Sequence, residues 1–202
     1  MTELKCYNNK ITSLNVSNKI KLTKLYAYVN QLTSLNVQGC SALTDLNVEC
    51  NKLTTISVQG CNALRKLDCC VNKINAAGAN TLINSLCTIP AGSQGALQYI
   101  YPGYTSASYT EGNVTLTAAQ INTARNKRWI PQKFVNGQWV DIPVTIVGDV
   151  NGDGIVSSVD VTAIYNYLLN NDSSAIANGD LDGDGSITAG DIVIIYNILL
   201  GQ

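Results

Sequence analysis

Asp149-Val-Asn151-Gly-Asp153-Gly-Ile155-Val-Ser157-Ser-Val-Asp160 and Asp180-Leu-Asp182-Gly-Asp184-Gly-Ser186-Ile-Thr188-Ala-Gly-Asp191 are two twelve-residue segments of one design. Both carry oxygen-bearing side chains at positions 1, 3, 5, 9 and 12 and glycine at position 6. Ca²⁺ takes about six to eight hard oxygen ligands, and a twelve-residue loop supplies them at these offsets, with the position 7 backbone carbonyl joining the set. The spacing therefore assigns Asp149, Asn151, Asp153, Ile155, Ser157 and Asp160 to one Ca²⁺. It assigns Asp180, Asp182, Asp184, Ser186, Thr188 and Asp191 to a second. Asp and Gly are also ordinary turn residues, but turn chemistry does not require every ligand position to be filled twice. No Lys or Arg follows Lys133. Without a cation these carboxylates repel one another, so metal binding is expected to contribute to folding.

Each loop runs into a helical pattern, Asp160–Leu169 and Asp191–Leu200, with apolar residues at three- and four-residue spacing. Neither loop has an entering helix of similar length. Pro143 and the β-branched run Val144–Val147 precede the first, and the short segment Ser173–Gly179 precedes the second.

On these residues, 148–201 resembles a type I dockerin domain, a duplicated Ca²⁺ module that binds cohesin domains. Asp at position 12 of both loops and the repeated pairs Tyr165-Asn166 and Tyr196-Asn197 belong to the resemblance. It implies a small all-α domain of two loop-helix (F-hand) motifs. It also places cohesin contacts at loop positions 10 and 11 and along the exit helices. Those positions are Ser158, Val159, Tyr165 and Asn166 in one copy and Ala189, Gly190, Tyr196 and Asn197 in the other. Of the hydroxyl pair found in well-known members, only Ser158 is kept.

The net charge of −1 conceals a division. All 13 basic residues lie at or before Lys133 against six acidic ones through Asp141, whereas residues 142–202 hold eight Asp and no base. No dense basic run points to nucleic acid. The absence of histidine excludes imidazole catalysis and imidazole metal sites. No apolar run is long enough for a membrane helix. No signal peptide is recognisable, as in a mature or trimmed chain, and Met1 stands where a repeat would begin with Leu, so sequence upstream is expected.

Residues 1–84 align at a period of 21. Position 4 reads Leu4, Leu25, Leu46, Leu67, and position 9 reads Asn9, Asn30, Asn51, Asn72. Position 11 is Ile11, Leu32, Leu53, Ile74, and position 16 is Val16, Val37, Val58 before Ala79 breaks the series. Such a period marks stacked coils with inward apolar residues, in which a buried Asn must hydrogen-bond neighbouring backbone. The pattern resembles the short leucine-rich repeats of bacterial surface proteins, which implies adhesion or protein recognition. Charges at position 3 (Glu3, Lys24, Asp45, Lys66) alternate and predict a cross-strand ladder. Tyr7, Tyr26, Tyr28 and Glu49 form a candidate patch for a protein or glycan ligand, with ordinary strand packing as the other reading. The seven cysteines are an odd number; Cys6, Cys40, Cys61 and Cys69 are expected to face inward, and a Cys40–Cys61 bridge stays open.

Residues 85–141 read as an α/β cap. A helical pattern over 75–86 leads into it, a strand covers Ala96–Tyr101, a helix follows Thr117 as N-cap, and a hairpin turns at Asn136-Gly137. Trp129, Phe134 and Trp139 are expected to cover the last coil, with a Trp-based carbohydrate site the less favoured reading.

The expected fold is an α/β leucine-rich-repeat solenoid with a parallel sheet (1–84) and an α/β C-terminal cap (85–141). A short linker (142–147) and an all-α Ca²⁺-binding dockerin domain (148–202) follow. The expected function is non-catalytic recognition or adhesion outside the cell, secreted or cell-surface associated, anchored to a cohesin-bearing scaffold. Two alternatives stay open: a structural Ca²⁺ module packed on its own chain, or a fragment of a larger cellulosome-type polysaccharide-degrading enzyme. The last needs paired carboxylates, and outside the loops only Glu3, Asp45, Glu49, Asp68, Glu111, Asp141 and Asp172 remain.

Overall fold

The computed structural model describes residues 1–100, 112–143, 146–152, 155–170, 179–182 and 184–201. The chain divides into two units, Met1–Ile142 and Pro143–Gln202.

The first unit is organised around three-residue strands, β1 (Glu3–Lys5), β3 (Lys24–Tyr26), β5 (Asp45–Asn47) and β6 (Lys66–Asp68). They pair in parallel with Leu4, Leu25, Leu46 and Leu67 in register. β7 (Gly95–Ile100) and β8 (Trp129–Val135) extend the sheet in parallel, and β9 (Gln138–Asp141) closes it antiparallel, giving seven strands. A second sheet holds β2 (Ser13–Asn15) and β4 (Ser34–Asn36). Leu25, Leu46, Leu67 and Leu97 lie buried beneath the main sheet.

The expected α/β leucine-rich-repeat solenoid is corrected by this arrangement. The unit is a seven-stranded, mostly parallel sheet, and the four helices among the described residues are short and lie outside the four-strand series. α1 (Ala76–Ser85) begins only after β6, and α2 (Ala118–Asn126) precedes β8. The reason is length and composition. Three strand residues and two turns leave too little of a 21-residue interval for a helix, and the return segment Leu32-Thr-Ser-Leu35-Asn-Val37 is β-branched and alternating.

Asparagine holds the turns. Asn51 Oδ1 accepts from Leu32 N (2.9 Å), and its Nδ2 donates to Ala27 O and Val48 O (both 3.0 Å). Asn72 does the same with Leu53 N, Val48 O and Cys69 O. The residue before each Asn, Asn8, Val29, Cys50 or Val71, has φ between 51° and 54°. That left-handed conformation is strained for a β-branched side chain, and the Asn bonds and burial of Val71 offset the strain.

The series ends with a substitute outside the period. Asn113 Oδ1 accepts from Ile74 N, and its Nδ2 donates to Cys69 O and Tyr99 O. α1 starts at N-cap Asn75 and packs so closely that a Cβ on Gly78 would collide with Thr54 O. Thr117 and Gln120 make a capping box for α2. Asn136 (φ 51°) and Gly137 (φ 84°) form the β8–β9 turn.

The alternating charges at position 3 do lie opposite one another, Glu3 to Lys24, Lys24 to Asp45 and Asp45 to Lys66, but none closes to an ion pair, and Glu3 pairs with Lys5 on its own strand (3.3 Å). All seven cysteines are free. Cys40 and Cys61 are buried and donate to Val16 O (3.0 Å) and Val37 O (3.3 Å), behaving as small interior side chains. Trp129 is fully buried with Nε1 donating to Cys87 O (2.8 Å), so it is core and not a carbohydrate platform.

In the second unit α3 (Ser158–Asn170) and α4 (Ala189–Leu200) pack on each other. Their core is built from matched positions: Val150, Val161 and Ile164 from one copy, Ile192 and Ile195 from the other, with Val156, Leu181 and Ile187 packed against them.

Candidate metal centre

Each loop is clasped by its own last residue. Asp160 is fully buried; its Oδ1 accepts from Val150 N (2.8 Å) and Asn151 N (3.2 Å), and its Oδ2 accepts from Ser157 N (2.8 Å). Asp191, also fully buried, repeats this with Leu181 N (2.6 Å), Asp182 N (3.4 Å) and Thr188 N (2.7 Å). A position 12 carboxylate thus joins the start of the loop to the start of the exit helix. Asp in place of the longer Glu fits this role, because one fewer methylene keeps the carboxylate against the loop backbone.

Burial alone would raise the Asp191 carboxyl, but backbone N–H donation from Thr188, Leu181 and Asp182 outweighs it and holds the group below the usual carboxylate range. Asp191 is thus kept ionised at the loop.

Positions 1, 3 and 5 of the second loop converge. Asp180, Asp182 and Asp184 are exposed, and one carboxylate oxygen of each lies within 4.8 Å of the others. Their other bonds are to loop backbone: Gly185 N to Asp180 Oδ2 (3.0 Å), Asp184 N to Asp182 Oδ1 (3.0 Å) and Ser186 N to Asp184 Oδ1 (2.8 Å). Thr188 caps α4, its side chain accepting from Gly190 N (3.0 Å). Three like charges this close, with no base anywhere in 142–202, fit a hard dication.

In the first loop Asp149 is buried and accepts from Gly152 N (2.8 Å), and Ser157 Oγ accepts from Val159 N (3.1 Å). Asn151 and Ile155 lie on the same loop, Ile155 exposed; Asp153 lies outside the described residues. The donors that the structure describes are all oxygens, as Ca²⁺ requires.

The residues assigned to partner binding, Ser158, Val159, Tyr165, Asn166, Ala189, Gly190, Tyr196 and Asn197, are all exposed. Motif reading missed their apolar neighbours. Leu168 and Leu169 on α3, and Val193, Leu199 and Leu200 on α4, are also exposed, Leu169 at 77% and Leu200 at 68%. The signal was present in the sequence, since these helices carry apolar residues on more than one face. On the first unit, Tyr7 and Tyr28 stack at 4.5 Å between ring centroids with 6° between planes, while Tyr26 and Glu49 are half-buried.

The dockerin type I domain family matches residues 147–200. Type I dockerins bind calcium, and dockerin domains bind cohesin domains. The rest of the chain matches no family, and neither a curated protein nor a solved structure matches the chain. The C-terminal segment is a type I dockerin domain.

Proposed function

We propose that this chain is a non-catalytic, extracellular recognition protein, tethered to a cohesin-bearing scaffold by a dockerin that holds two Ca²⁺. Asp149, Asn151, Asp153, Ser157 and Asp160 with the Ile155 carbonyl take one ion; Asp180, Asp182, Asp184, Thr188 and Asp191 with the Ser186 carbonyl take the other. Each ion offsets two of the three or four carboxylate charges of its loop and fixes the angle at which the exit helix leaves it. The observation that carries the reading is the identical clasp made by Asp160 and Asp191, each on a loop that opens an exposed, partly apolar helix.

The docking surface is built from Ser158, Val159, Tyr165, Asn166, Leu168 and Leu169, or from Ala189, Gly190, Tyr196, Asn197, Leu199 and Leu200. Because the two sets are equivalent by the internal repeat, the cohesin is engaged in either of two orientations. On the first unit the stacked Tyr7–Tyr28 pair, with Tyr26 beside it, supports a recognition role for that sheet face, since stacked tyrosines give rigid amphipathic area at low entropic cost. The test is binding of the full chain to a panel of immobilised type I cohesins, with Ca²⁺ and with chelator. Ca²⁺-dependent retention by at least one cohesin is expected, and indifference to chelator refutes the assignment.

A further inference from the structure

A second cluster of metal-ligating side chains lies in the first unit, far in sequence from the calcium loops. Parallel pairing sets Asn47 opposite Asp68, so the turns that follow bring Glu49 beside Cys70. One carboxylate oxygen of Glu49, one of Asp68 and Cys70 Sγ lie within 4.8 Å of one another. Cys70 is fully buried, Asp68 is only 6% exposed, and Glu49 is half-buried.

Asp68 is aimed into this cluster with half of its carboxylate unused. Oδ2 accepts from Asn47 Nδ2 (3.4 Å) and Gln98 Nε2 (3.1 Å), and Gln98 Oε1 accepts from Trp139 Nε1 (3.1 Å). Oδ1 is buried and makes no hydrogen bond of good geometry, although the Cys70 thiol and backbone N–H stand beside the carboxylate and partly offset its burial. Among the described residues no cation stands within ion-pair distance of Asp68 or Glu49. Lys66 lines the same pocket of about 50 Å³ as Asp68 and lends only long-range charge. A buried carboxylate oxygen without a well-aligned donor is costly, and a cation at this point would satisfy it.

We propose that Glu49, Asp68 and Cys70 bind a zinc ion. Ca²⁺ is excluded by the sulfur, since hard cations take oxygen ligands, whereas Zn²⁺ takes thiolate and carboxylate together. Zn–S of about 2.3 Å and Zn–O of about 2.0–2.2 Å require the three donors to close by roughly an ångström, within reach of side-chain rotation. A water completes four-coordination, entering beside the half-buried Glu49. Binding displaces the Cys70 thiol proton to solvent as the Zn–S bond forms, and any proton on Asp68 leaves with it. The ion would staple the turns after β5 and β6 beneath Trp139, which packs on Cys50, Cys70 and Val71.

The test uses the full chain, reduced with a phosphine and held in excess Ca²⁺ so that the C-terminal loops are filled. Co²⁺ serves as the spectroscopic probe for Zn²⁺. One equivalent is expected to give a thiolate-to-cobalt charge-transfer band that Zn²⁺ abolishes by displacement. Cys70→Ser should remove the band, Cys50→Ser should keep it, and Asp68→Asn should weaken binding at least about tenfold with an unchanged circular dichroism spectrum. No thiolate band, a band that survives Cys70→Ser, or unaltered affinity in Asp68→Asn overturns the proposal. If Cys70→Ser does not fold, Zn²⁺ titration of Asp68→Asn and Glu49→Gln decides it by the same criterion.

Discussion

Asp160 and Asp191 make the same three backbone contacts in loops 31 residues apart, to the second, third and ninth residues of each. The start of each loop and the start of its exit helix are therefore tied together by one carboxylate per copy, and under the proposed reading ion binding depends on it. Asp160→Ala leaves three backbone N–H groups without their acceptor, each worth roughly 1–3 kcal/mol when buried. Calorimetry on this variant should show one Ca²⁺ bound in place of two, and the same for Asp191→Ala. Two ions bound with unchanged affinity would show that position 12 is dispensable.

The two exit helices expose equivalent apolar faces, with Leu169 at the place of Leu200 and Tyr165 at that of Tyr196. Leu169→Asp or Leu200→Asp alone should reduce cohesin affinity by a factor of about two to three, since one orientation remains. The double variant should lose binding at least about a hundredfold, as expected when an interface centre is charged. Thermal stability should stay within about 0.5 kcal/mol, because these positions are exposed. Equal loss in one single variant and none in the other would leave a single docking orientation.

Asn72 is fully buried and serves two turns at once, whereas Asn9 at the first turn is exposed. Asn72→Ala leaves the buried Leu53 N without its acceptor and removes one donor each from Val48 O, Cys69 O and Cys70 O, which keep another, and should cost about 1–3 kcal/mol of first-unit stability in urea unfolding. Asn9→Ala should cost under about 0.5 kcal/mol. Asn113→Ala should resemble Asn72→Ala although it lies outside the repeat period.

Burial, reinforced by the charge of Glu49, pushes Asp68 up from 3.8 to about 6. Between those values the folded state of chelator-treated protein holds a proton that the unfolded chain releases. Stability of the first unit should therefore fall as pH rises from about 4 to about 6 and level off above. Asp68→Asn should flatten this slope, as followed by thermal melts across pH; a wild-type slope of opposite sign contradicts the assigned environment.

The paired loops of the dockerin segment were legible because all their candidate donors sit within twelve consecutive residues, where spacing is geometry. The β8–β9 hairpin was legible for the same reason, from Asn136-Gly137. Non-local features were not. Asn113 continues the turn-holding series from 41 residues beyond Asn72, and no period points to it. The Glu49, Asp68 and Cys70 grouping exists only once parallel pairing sets Asn47 against Asp68. The α/β leucine-rich-repeat solenoid was an error of analogy: leucine spacing alone does not say what the return segment does, and Ser34–Asn36 forms a strand.

The central claim is that bound Ca²⁺ holds residues 147–200 in the form that docks. The most direct test is calorimetric titration of the full chain with the cohesin that retains it, first in Ca²⁺ and then in excess chelator. The account predicts a measurable Kd in Ca²⁺ and apparent affinity at least about a hundredfold weaker in chelator, set by the small fraction still correctly folded. The same Kd in both conditions would contradict it.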